Sequence, residues 1–113
     1  MFRILFVLVS YTLLGFAVAI AAPSIPPFEG TTTADQTLQR DGYATASLFA
    51  GFAGCTDIER VVSSIVSPPE GEAKSVKVTE KWILHGCGRT FPFVVAMNGD
   101  GKGGTFISVK KDF

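Results

Sequence analysis

The chain has 113 residues, room for one domain at most, with ten Lys+Arg against ten Asp+Glu and a single His. A formal net charge of zero, with 18% charged residues, leaves no electrostatic footprint for nucleic acid, which proteins bind by neutralising phosphates with Lys and Arg. A hydrophobic fraction of 47% excludes global disorder.

In chain order, Met1–Ala22 carries one cation, Arg3, then an apolar run from Ile4 to Ile20 and the small residues Ala19-Ile20-Ala21. This pattern predicts a secretory signal over residues 1–21, cleaved between Ala21 and Ala22. The competing reading is a retained N-terminal anchor, because the apolar run is long. Residues 22–33, APSIPPFEGTTT, form a Pro/Thr-rich arm, and 34–113 a single small domain. A domain of about 90 residues buries only a little over ~60% of its unfolded surface, so a covalent staple would help it.

Thr33-Ala34-Asp35-Gln36 matches a capping box and predicts a helix from about Ala34, interrupted or ended at Asp41-Gly42. Tyr43–Phe52 is Ala-rich, and Leu48, Phe49 and Phe52 at helical spacing predict a second short helix. Residues 57–66 fit two patterns. Ile58, Val61, Val62, Ile65 and Val66 recur at helical spacing, yet half of the ten residues are Val or Ile, which favour strand. Ser67–Glu72 reads as a turn, and Lys74–Leu84 alternates as a strand.

Cys55 and Cys87 are the only cysteines, and two in an exported small domain imply a disulfide. Set opposite each other on two antiparallel strands, they oppose Ser64 to Val78, Arg60 to Trp82, Ile58 to Leu84 and Asp57 to His85. That register favours the strand reading of 57–66 and predicts a cation–π contact between Arg60 and Trp82. Thr90–Met97 and Thr105–Val109 read as further strands around the glycine-rich loop Asn98–Gly104. The expected fold is α+β: one or two short N-terminal helices, then a three- to four-stranded antiparallel meander with one disulfide.

Gly99-Asp100-Gly101-Lys102-Gly103-Gly104 spells G-x-G-x-x-G, but a strand rather than a helix follows, so no nucleotide site is expected. Asn98, Asp100 and Gly103 resemble the opening of a calcium loop, but Lys102 and Val109 occupy ligand positions. His85 with Cys55, Asp57 and Cys87 could make a metal or thiol site only if the cysteines were reduced. Glu59 and Glu80 fall on opposite faces of the register, which disfavours a carboxylate pair. Trp82, Phe91, Phe93 and Phe106 are expected in the core, with Trp82, His85, Asp57 and Arg60 the candidate binding or structural positions. No cofactor and no catalytic residue is expected.

The run Glu80-Lys81-Trp82-Ile83-Leu84-His85-Gly86-Cys87-Gly88, with Phe93-Val94-Val95 and Gly103-Gly104-Thr105 after it, resembles a pattern found in small exported bacterial proteins of uncharacterised function. In that pattern a W…GCG strand end precedes a further strand and a GGT turn. The resemblance covers Glu80–Val109, 30 of the 113 residues. It implies an exported bacterial domain with a paired upstream cysteine, a place Cys55 fills, and no activity. The expectation is therefore a secreted or periplasmic binding protein. Its partner would be another envelope or extracellular protein, with membrane contact only if the signal is retained. The alternative is a metal- or thiol-dependent protein using His85 with Cys55 and Cys87.

Overall fold

A computed structural model describes residues 25–113; the signal expected over 1–21 lies outside them. Five strands form one sheet: β1 (Phe28–Gly30), β2 (Ile58–Glu70), β3 (Lys77–Gly86), β4 (Arg89–Gly99) and β5 (Thr105–Lys111), side by side in that order. Among the described residues a single α-helix of 17 residues, α1 (Gln36–Phe52), joins β1 to β2. These two strands run parallel, with Phe28 beside Val61 and Gly30 beside Ser63, and the remaining neighbours are antiparallel. Adjacent parallel strands need a crossover, and α1 supplies it. No helix among the described residues is long and apolar enough to cross a membrane.

The expected fold is corrected accordingly. Among the described residues a 17-residue helix set between β1 and β2 takes the place of one or two short N-terminal helices, and the sheet is five-stranded and mixed. Its first strand precedes the helix, inside the segment read as an arm. Phe28 explains this placement: its ring stands edge-on to Trp82, centroids 4.8 Å apart, so the arm contributes a core side chain.

The helix does not stop at Gly42 because that position is a seat. A Cβ there would come within 2.7 Å of two ring carbons of Trp82, so the missing side chain lets helix and sheet approach. The inner face of α1 is small, with Gly42, Ala46 and Ala50 buried. Bulk comes from the sheet instead, where β3 gives Val78, Trp82 and Leu84, and β4 gives Phe91, Phe93, Val95 and Met97. Alternation puts these on the helix side of the sheet. Phe49 stacks on Phe93 at 6.3 Å, and Phe113 meets Phe91 and Phe93 edge-on at 5.8 and 5.5 Å.

Residues 58–66 are strand. β2 continues through Pro68-Pro69 to Glu70 with register shifts, where a turn was expected. β1 borders β2 only at Val61–Ser63, so the prolines lie where no ladder on that side needs their missing N–H. The sequence-derived register is also corrected. Val61 faces Leu84, Ser63 faces Trp82 and Arg60 faces His85, a slip of three from the cysteine-centred pairing. Cys55 lies ahead of β2 and Cys87 in the β3–β4 turn, so the bridge joins two loops rather than an opposed strand pair.

Candidate functional site

Three local arrangements place the chemically distinctive side chains. The first is the disulfide corner. Cys55 is fully buried and joined to exposed Cys87, Cα atoms 5.9 Å apart and 32 residues apart in sequence. Closing a loop of that length is worth about 3.7 kcal/mol in the chain-entropy model. Cys87 and Gly88 form a two-residue turn between Gly86 and Arg89, with φ of +56° and +68°. Tight hairpin turns need that conformation, which costs a non-glycine residue about 1–2 kcal/mol. The bridge holds Cys87 in it. Arg89 extends from the same turn, donating from Nη1 to the Ala53 carbonyl at 3.1 Å and lying 4.7 Å from the Phe91 centroid. A cation at a helix C-terminus is favoured by the orphan carbonyls there.

The cluster that Cys55, Asp57, His85 and Cys87 would form if reduced does not assemble. His85 faces Arg60, with Nδ1 3.4 Å from a guanidinium nitrogen, and Arg60 is paired with Glu29 at 3.0 Å. A guanidinium beside the imidazole repels a second cation, and the disulfide holds both sulfurs. Among the described residues, no group of three or more His, Cys, Asp or Glu could hold a metal ion. The Arg60–Trp82 contact is replaced by Arg60–Glu29, on the sheet face away from α1, while Trp82 points to the helix.

The second arrangement surrounds Glu80, which sequence reasoning considered only as half of a carboxylate pair. Its side chain is 0% exposed, whereas Glu59 is exposed. Four neutral donors reach the two oxygens. The Thr32 hydroxyl (2.7 Å) and Trp82 Nε1 (2.8 Å) donate to Oε1, and the Thr33 amide (2.6 Å) and hydroxyl (2.7 Å) donate to Oε2. Burial raises the pKa of Glu80, but these bonds to the ionised form outweigh it and leave the carboxyl below its ordinary range. Thr33 is thus not the helix cap. Asp35 caps α1 instead, its Oδ1 accepting from the Leu38 amide at 2.9 Å. The signal for Glu80 was its place on the apolar side of an alternating strand, in register with Val78 and Trp82.

The third arrangement is the outer face of α1. From Gly42 to Ala53 the helix carries no charged residue, although surface helices normally present charge to water. Leu48 is 56% exposed and Phe52 77% exposed, while Phe49 between them packs against the core. Leu48 and Phe52 are neighbours at i, i+4. Beside them a shallow groove is floored by Ala44, Ser47 and Gly51 and walled by Tyr43. The Tyr43 hydroxyl has its pKa raised by burial and then by the negative charge of Asp57. Phe106 also proves exposed, at 68%, on the opposite sheet face, which corrects its expected core role.

No family model matches the chain, and no curated protein or solved structure matches it. The reading of these three arrangements therefore rests on their chemistry.

Proposed function

We propose that the protein is an exported, non-catalytic binding domain whose partner is another protein of the cell envelope or the extracellular space. The observation that carries this reading is the outer face of α1. Leu48 and Phe52 project from a helix surface with no charge to desolvate, beside a groove floored by small residues. Aromatic side chains on a patch depleted of charge are characteristic of the core of protein interfaces. The helix is a firm platform, because Asp35 caps its start and the Cys55–Cys87 bridge fixes the chain just beyond its end. A disulfide in a small domain accords with an oxidising compartment, which supports export through the expected signal over residues 1–21.

Three measurements test the proposal. Intact mass of the protein recovered from its own host should give a chain beginning at Ala22, two hydrogens short of the reduced form and refusing alkylation. A photoreactive amino acid at position 52 should cross-link one discrete protein in that compartment. The Leu48→Ser/Phe52→Ser variant should lose the partner in pull-down, while a Phe106→Ser control keeps it. A retained residue 1–21 with free thiols would overturn the export reading. Equal capture by both variants would overturn the assignment of the surface.

A further inference from the structure

A second concavity lies away from α1's outer face, where β2 passes to β3 and β4 passes to β5. It is a cleft of about 230 Å³ between the loop around residues 69–76, the loop 99–105 and the start of the helix. Its apolar interior comes from Leu38, Val76, Val78 and Met97, the last two buried in the core. The loops that form its mouth are tied to each other by main-chain bonds. The Gly99 amide donates to the Val76 carbonyl at 2.8 Å, and the Gly101 amide donates to the Lys74 carbonyl at 2.8 Å. The second loop is braced internally as well, because Asp100 Oδ1 accepts from the amides of Lys102 (2.7 Å) and Gly104 (3.0 Å). The cleft is therefore formed before any ligand arrives, the usual condition of small-molecule sites.

The lining contains one ionisable side chain, Lys74, and no carboxylate. Lys74 is exposed at the mouth and joins no ion pair among the described residues. An apolar interior with one cationic residue, Lys74, in its lining fits a molecule with a hydrocarbon body and one negative head. An engineered cavity of about 150 Å³ takes up benzene, so by the same ratio this cleft admits a body of about nine carbons. We propose that the cleft is a binding site for a small apolar carboxylate, with the hydrocarbon against Val76, Val78 and Met97 and the carboxylate at Lys74. This site is separate from the Leu48–Phe52 surface and does not depend on the function proposed for it.

The test titrates decanoate, below its micelle concentration, into the isotope-labelled full chain and follows backbone amide shifts. Decanol and decylammonium carry neutral and cationic heads on a body one carbon longer. Decanoate should saturate, with shifts concentrated at Val76, Gly103, Gly104 and Thr105. Decanol should bind several-fold more weakly, and decylammonium at least tenfold more weakly. Lys74→Glu should weaken decanoate at least tenfold and reverse the preference for head charge. Since Lys74 is exposed, this variant should fold, and unchanged shifts elsewhere would verify it. Ala73→Trp, also on the exposed rim, should block all three ligands. Absence of saturable shifts up to millimolar decanoate would overturn the proposal. So would equal binding of the three heads, or shifts centred on Leu48 and Phe52.

Discussion

The two ends of α1 are fastened by opposite chemistries. At the C-terminal end the fastening is covalent: Cys55, just past the helix, is bridged to the β3–β4 turn. At the N-terminal end it is ionic in origin but involves no cation. A buried carboxylate on β3 draws in Thr32 and Thr33, the residues that lead into the helix. One end answers to reductant and the other to protons. The comparison shows that a buried charge can act as a tether when neutral donors fill its lone pairs, because its desolvation cost is met by several charge-assisted bonds at once.

The largest effect should come from unfastening the covalent end. Cys55→Ser/Cys87→Ser should cost about 3–4 kcal/mol in urea unfolding at pH 7, and reduction of the native protein should reproduce the loss. Equal midpoints for the oxidised and reduced protein would show that the bridge constrains nothing the fold does not already fix.

Unfastening the other end should cost somewhat less. Glu80→Gln places an amide NH₂ among groups that can only, or preferentially, donate, and about 2–3 kcal/mol should be lost at pH 7. The pH dependence sharpens the contrast. The folded-state pKa of Glu80 lies below its ordinary value of 4.5. The stabilisation is therefore complete above that ordinary value and drains away as pH falls through the lower native one. Thermal melts from pH 7 to pH 3 should show an acid loss in the native protein that Glu80→Gln lacks. Superimposable acid profiles would show that the charge plays no part.

Smaller effects belong to the helix between its fastenings. Gly42→Ala improves helix propensity by about 1 kcal/mol, but the new methyl drives into the Trp82 ring. A net destabilisation of about 1–2 kcal/mol should result, with a shifted Trp82 emission in the folded state. A stabilised variant would mean that Trp82 has room to move. The smallest loss, about 1 kcal/mol, should follow Asp35→Ala, which removes the cap and nothing else; a fall in melting temperature of about 4–8 °C would register it.

The elements that could be read from sequence were those whose pattern has a single geometric meaning. β3 alternates without interruption, and its extent was legible to within a few residues, as was the disulfide pairing of the only two cysteines. The register was not, because the cysteines were given strand positions and instead occupy the loops beside the strands. The helix was cut at Gly42 on propensity, whereas a bulky partner 40 residues away made glycine the fitting residue inside it. The spacing of Leu48, Phe49 and Phe52 marked a helix but not which of its sides would meet the sheet. On α1 the inner face is alanine and glycine, because the sheet already supplies Trp82, Phe91 and Phe93. β1 gave no signal, being three residues long and preceded by prolines. The environment of Glu80 depends on donors 47 and 48 residues away, which no local pattern encodes.

Those donors also set where the minimal folding unit begins. A chain trimmed to start at Ala34 would keep the whole helix and every antiparallel strand pair, and by secondary structure alone would look intact. It would also leave Glu80 in the core with three of its four hydrogen bonds gone. The carboxylate would then have to take up a proton or admit water. Trimming at Ala34 would thus turn a stabilising charge into a defect, and the domain extends back at least to the strand that begins at Phe28.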